Sequence, residues 1–166
     1  MVERVDVVVV HEPFTNSAHA PSVRLPQVHV VCVTIDCREP AALAEFWNAA
    51  LGWGGVTVAP DGGGALCGPA EGGMYLEFVR VPEPKTVKNR LHLGCTAGSI
   101  DDFDAEYERL AGLGAELAWR EDFGSDIDPH YRNWVLRDPE GNEFCLGGGA
   151  WPEGVNSPSE VPISHP

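Results

Sequence analysis

Positive charge is scarce in this chain. Lys and Arg total 11 against 25 Asp and Glu, which gives a formal charge of -14 at pH 7. Such a surface repels phosphate backbones, and no basic stripe interrupts it, so no nucleic-acid partner is expected. Long apolar runs are missing too. The run Val7 to Val10 is too short to span a bilayer and is followed by His11 and Glu12. No basic start with a longer apolar stretch marks a signal peptide, so the expected location is cytoplasmic, with no membrane partner. The cysteines are Cys32, Cys37, Cys67, Cys95 and Cys145. An odd count without CxxC spacing argues against a disulfide framework and reads mostly as buried thiols acting as small hydrophobes. No Ser-His-Asp set or GxSxG elbow is visible. No GK[ST] follows the Gly62 to Gly64 turn, which removes a phosphate loop. Asp122, Asp126 and Asp128 lack calcium-loop spacing and are expected to face solvent.

What is present suits one domain. The chain has 166 residues, 43% of them apolar, enough for a substantial core. Residues 1–27 read as an extension with one strand, Val5 to Val10. The β-branched stretch Val28 to Ile35 predicts a strand. Pro40 suits a first helical turn, and Leu43, Phe46, Trp47, Ala50 and Leu51 recur at helical spacing until Gly52, predicting a helix over 41–51. Strands follow over 53–59, 65–67 and 74–81. Pro82 to Asn89, with two prolines and both lysines of the chain, is the natural linker. The order then begins again. A strand over 91–96 leads to Ser99–Asp102, which has capping-box spacing, and to the apolar stripe Phe103, Tyr107 and Leu110 of a helix over 100–110. Strands over 115–119, 131–137 and 142–147 complete the second half, with a polar loop over 121–130 and a turn at Asp138–Gly141. The tail over 149–166 reads as irregular. The matching order of the halves points to an internal duplication, so the fold class is α+β: two βαβββ modules, 28–81 and 90–148, forming a cupped mixed sheet with helices on the outer face.

The segments VTIDCREPAALAEFWNAAL (Val33 to Leu51), VRVPEPKTVKNRLH (Val79 to His92) and WVLRDPEGNEFCL (Trp134 to Leu146) carry a resemblance. Across about residues 28–148 the chain resembles the vicinal oxygen chelate superfamily, the glyoxalase, bleomycin-resistance and extradiol-dioxygenase group, and within it the glyoxalase-like domain branch. The resemblance implies paired βαβββ modules around a concave site. In metal-dependent relatives a His or Gln on the first strand and a Glu on the last strand of each module hold the metal. Carried onto this chain, the ligand positions are His29, Glu77, His92 and Cys145, with Glu77 also the candidate base. Cys145 departs from the pattern, because a Glu usually stands there. Gly94 and Cys95 likewise replace a more usual Asp-Leu pair.

Alternation places His29 on the face of Val31, Val33 and Ile35. It places Glu77 with Tyr75 and Val79, opposite Met74, Leu76 and Phe78. Two imidazoles and a carboxylate suit several divalent metals, and a Cys145 thiolate would favour zinc or iron. A plainer reading stands beside this one. The histidines would bond backbone, Glu77 would pair with Arg80, Arg90 or Arg137, and Cys145 would be core. Beside a structural or regulatory domain without small-molecule chemistry, two functions stay open. One is a lyase, isomerase or dioxygenase acting on a small oxygenated substrate through a metal. The other is a metal-free protein that binds an aromatic or antibiotic-like molecule. The open sheet edges of a two-module chain suggest a homodimer.

Overall fold

The computed structural model describes residues 30–98, 100–121 and 132–148. Residues 1–29, with His29 and the strand expected over 5–10, lie outside them, as do Ser99, residues 122–131, which hold most of the loop expected over 121–130, and residues 149–166. The elements are β1 (Cys32–Cys37), α1 (Pro40–Leu51), β2 (Val56–Val58), β3 (Gly64–Cys67) and β4 (Tyr75–Arg80). They continue as β5 (Leu93–Thr96), α2 (Phe103–Leu113), β6 (Glu116–Glu121), β7 (Arg132–Arg137) and β8 (Glu143–Gly148). Two four-stranded mixed sheets result, ordered β1-β4-β3-β2 and β5-β8-β7-β6. In each, the first strand pairs parallel with the last and the remaining pairs are antiparallel. The fold is thus α+β and repeats one βαβββ module.

Local chemistry explains where the elements begin and end. Pro40 sits in the first turn of α1, where its missing N–H costs nothing. Gly52 closes that helix at φ 65, a left-handed conformation that a side chain would strain. The next residues serve the helix exit rather than a strand. Trp53 N–H donates to the Asn48 carbonyl (3.0 Å) and Gly55 N–H to Asn48 Oδ1 (3.0 Å). β2 therefore starts at Val56 instead of Trp53. The second helix lies three residues later than its sequence pattern suggests, because Ile100–Asp102 make a turn, with Phe103 N–H on the Ile100 carbonyl at 3.3 Å. β5 starts at Leu93 because β8, its one neighbour among the described residues, first meets it there, Leu93 opposite Phe144.

Both modules bury their helix-side faces in one core. Leu43, Phe46 and Trp47 of α1, and Leu76 and Phe78 of β4, cluster with Phe103 and Leu110 of α2 and with Leu136, Phe144 and Leu146 of the second sheet. The Phe144 ring lies 5.0 Å from Trp47 and 6.3 Å from Phe46, edge-on in both cases. Trp134 is wedged between Phe103 and Tyr107, each at 4.9 Å. Such pairs contribute about 0.5–1.5 kcal/mol each beyond their area.

Polar ties reinforce this join. The Glu140 carboxylate accepts the Arg38 N–H (2.7 and 3.0 Å) and the Glu39 N–H (2.7 Å) at the start of α1. Arg109 of α2 donates to the carbonyls of Ala49 (3.0 Å) and Ala50 (2.7 Å) at its end. Between them, Trp47 Nε1 donates to the buried Asp138 carboxylate at 3.2 Å.

Candidate functional site

Alternation along the strands separates a helix face from an open face on each sheet. On β4, Leu76 and Phe78 face the core, so Tyr75, Glu77 and Val79 occupy the open face. Thr34 stands opposite Glu77, and its hydroxyl donates to Glu77 Oε2 at 2.6 Å. Of the partners weighed for Glu77, none of the three arginines is used; a neighbouring threonine takes the carboxylate instead. Burial, then the Cys32 thiol and then Glu77, push the Tyr75 phenol above its ordinary value. Cys32, Thr34, Tyr75 and Glu77 thus form a polar group on the open face of the first sheet.

On β8, Phe144 and Leu146 face the core, and Cys145 between them lies on the open face, opposite Gly94 and Val135. His92 lies just before β5, with Lys88 Nζ 3.4 Å from its Nε2. An ammonium only donates, so Nε2 is the acceptor and its lone pair is engaged. His29 lies outside the described residues. Glu77 and Cys145 thus stand on the open faces of the two sheets, one on each. Among the described residues, no group of three or more His, Cys, Asp or Glu could hold a metal ion.

Three thiols, the buried Cys37 and Cys67 and the half-buried Cys95, are shifted away from the thiolate. Burial, helped by Glu140, Asp138 and Asp36, pushes Cys37 up to about 12. Burial likewise pushes Cys67, with Glu45 adding, and Cys95, with Cys145 and Glu106 adding, to about 11. In all three the shift disfavours the free thiolate, the form that acts as a nucleophile.

A cavity of about 450 Å³ opens where the linker crosses the open face of the second sheet. Lys85, Val87 and Lys88 line it from the linker, and Trp119, Arg137 and Glu143 from β6, β7 and β8. Lys88 Nζ sits 4.6 Å over the Trp119 ring, a cation–π contact. Lys85 Nζ pairs with Glu143 Oε2 at 2.9 Å, and Asn89 N–H donates to the same oxygen at 3.0 Å. Burial alone would raise the Glu143 carboxyl, but the Asn89 N–H and the Lys85 ammonium outweigh it and hold it at about 2. Sequence reasoning missed this cavity, although one signal pointed to it: the only two lysines of the chain lie close together in a linker.

The family model of the glyoxalase-like domain matches residues 32–147, well over half of the chain. No curated protein matches at the sequence level. Among solved structures, a fosfomycin resistance protein, FosX, from Listeria monocytogenes, a point mutant complexed with Mn(II) and dihydroxypropylphosphonic acid, aligns with TM-score 0.60 and 12% identity, covering 80% of this chain and 98% of that one. A glyoxalase/bleomycin resistance protein/dioxygenase from Nocardioides aligns with TM-score 0.57 and 18% identity, covering 84% of this chain and 93% of that one. A family enzyme of the same description from Burkholderia phytofirmans aligns with TM-score 0.56 and 17% identity, covering 72% and 98%. At these identities the likeness is one of fold.

Proposed function

The chain belongs to the glyoxalase-like domain family of the vicinal oxygen chelate superfamily, and from that premise we propose that it binds a small oxygenated organic molecule on the open face of its second sheet, without a metal. The open cleft between linker and sheet carries this reading: Trp119 and Val87 supply apolar surface, and Lys85, Lys88, Arg137, Glu140 and Glu143 supply charge of both signs. Concave sites with apolar walls and a few convergent polar groups are the usual seats of small ligands. Cys145 stands where metal-dependent relatives have a Glu, and among the described residues no group of three or more His, Cys, Asp or Glu could hold an ion. Residence in the cytoplasm and pairing into a homodimer belong to the same proposal. Among the described residues, no helix is long and apolar enough to cross a membrane.

The second reading is a lyase, isomerase or dioxygenase in which His29, Glu77, His92 and Cys145 hold zinc or iron and Glu77 doubles as base. The Thr34 hydrogen bond, which orients the Glu77 carboxylate on an open face, favours it. Zinc titration by calorimetry separates the two. We expect wild type, His92→Ala and Glu77→Gln to give the same weak, unsaturable heat. Saturable binding by wild type that either substitution abolishes would establish the metal-dependent reading instead.

A further inference from the structure

In a chain of charge -14, the only two lysines and Arg137 meet around one cavity. Its two acids are already engaged. Glu143 serves Lys85 and the Asn89 N–H, and Glu140 serves the N–H groups of Arg38 and Glu39. Among the described residues, the ion pairs are Arg80–Glu39, Lys85–Glu143, Arg109–Glu106 and Arg132–Asp104, so no carboxylate there pairs with Arg137 or Lys88. Glu143 stands directly opposite Arg137 in the β7–β8 register, yet its carboxylate turns to Lys85. Among the described residues, the half-buried Arg137 side chain is therefore left without an anion, in a protein that carries 25 carboxylates.

Resting on the small-molecule reading above, we infer that this cavity takes an organic carboxylate with a compact, flat apolar body. The guanidinium is a planar fork that matches a carboxylate with two parallel hydrogen bonds. Lys88, held over Trp119, adds a second positive charge, and the Trp119 and Val87 surfaces receive the carbon skeleton. A monoanion fits better than a phosphate dianion, because Glu140 and Glu143 remain on the cavity wall and would repel the second charge.

The test uses the full chain and nuclear magnetic resonance of the indole N–H of Trp119, identified by its loss in Trp119→Phe. Benzoate is the probe, and benzyl alcohol is its neutral counterpart. Benzoate is expected to shift the Trp119 signal saturably and more tightly than benzyl alcohol. Arg137→Gln should weaken benzoate about tenfold or more while leaving benzyl alcohol unchanged. Should Arg137→Gln fail to fold, Lys88→Met replaces it, with an expected loss of about threefold and a weaker salt dependence. Equal binding of the two probes, or benzoate affinity indifferent to the substitution that folds, overturns the carboxylate inference and leaves the small-molecule reading standing. No shift of Trp119 by either probe overturns both.

Discussion

Glu143 is 6% exposed, a carboxylate nearly out of water whose ionised form survives because a backbone N–H and an ammonium meet it. Its folded-state value, about 2, lies below the ordinary carboxylate range near 4.3. Its contribution to stability is therefore fully present above the unfolded value and is lost as pH falls from about 4.5 toward about 2. Asp138 acts with the opposite sign. Burial raises its carboxyl despite hydrogen bonds from Asn142, Trp47 and the Glu140 N–H. The folded state then holds that proton more tightly than the unfolded one, which offsets part of the loss on acidification. Urea midpoints are expected to fall between about pH 5 and about pH 2. Glu143→Gln should cost about 1–3 kcal/mol at neutral pH and flatten that decline; an unchanged acid slope in this variant would refute the assignment. None of this was legible in the sequence. Glu143 reads as one more strand residue, and its partner Asn89 lies 54 positions away. Glu77 was legible as an open-face residue, because Leu76 and Phe78 beside it are plainly core. Its threonine partner was not, because register between β1 and β4 is fixed only by the folded sheet.

At the scale of elements, α1 shows why helix ends are harder to read than helices. It has no acidic residue in its first turn, no basic residue in its last and no side-chain N-cap bond. Its orphan N–H and carbonyl groups need partners from elsewhere. The second module supplies them, Glu140 at the start and Arg109 at the end, each with the sign that complements the helix dipole. The apolar spacing of Leu43, Phe46 and Trp47 was enough to find the helix, and Asp138–Gly141 was enough to find a turn. That this turn also clamps α1 depends on how the modules pack. Arg109→Met, which keeps the aliphatic stem, and Glu140→Gln should each cost about 1 kcal/mol. The two ends of a 12-residue helix are about 18 Å apart, so the double variant should show the sum. Urea unfolding checks both points. An unaffected Glu140→Gln would mean that its hydrogen bonds to Arg38 and Glu39 merely replace water.

At the scale of the whole molecule, β1 and β5 are the first strands of their modules, and each is an edge of its sheet. Each is paired on one side only among the described residues, and exposed apolar side chains precede both: Val30 at 73%, Val31 at 41% and Leu91 at 62%. Unpaired edges with apolar flanks invite strand addition unless something covers them. A second copy that pairs its edge with these would extend each sheet, and could bring the open-face groups around Glu77 and Cys145 of different copies toward one another. The charge of -14 on each copy opposes such pairing, so salt should strengthen it by screening. Sedimentation at micromolar concentration is expected to show a homodimer whose dissociation constant falls as salt rises. Val31→Lys, which puts a charge beside the β1 edge, should shift the population toward monomer without altering the fold seen by circular dichroism. A wild type that sediments as a monomer at every salt concentration would rule out the dimer.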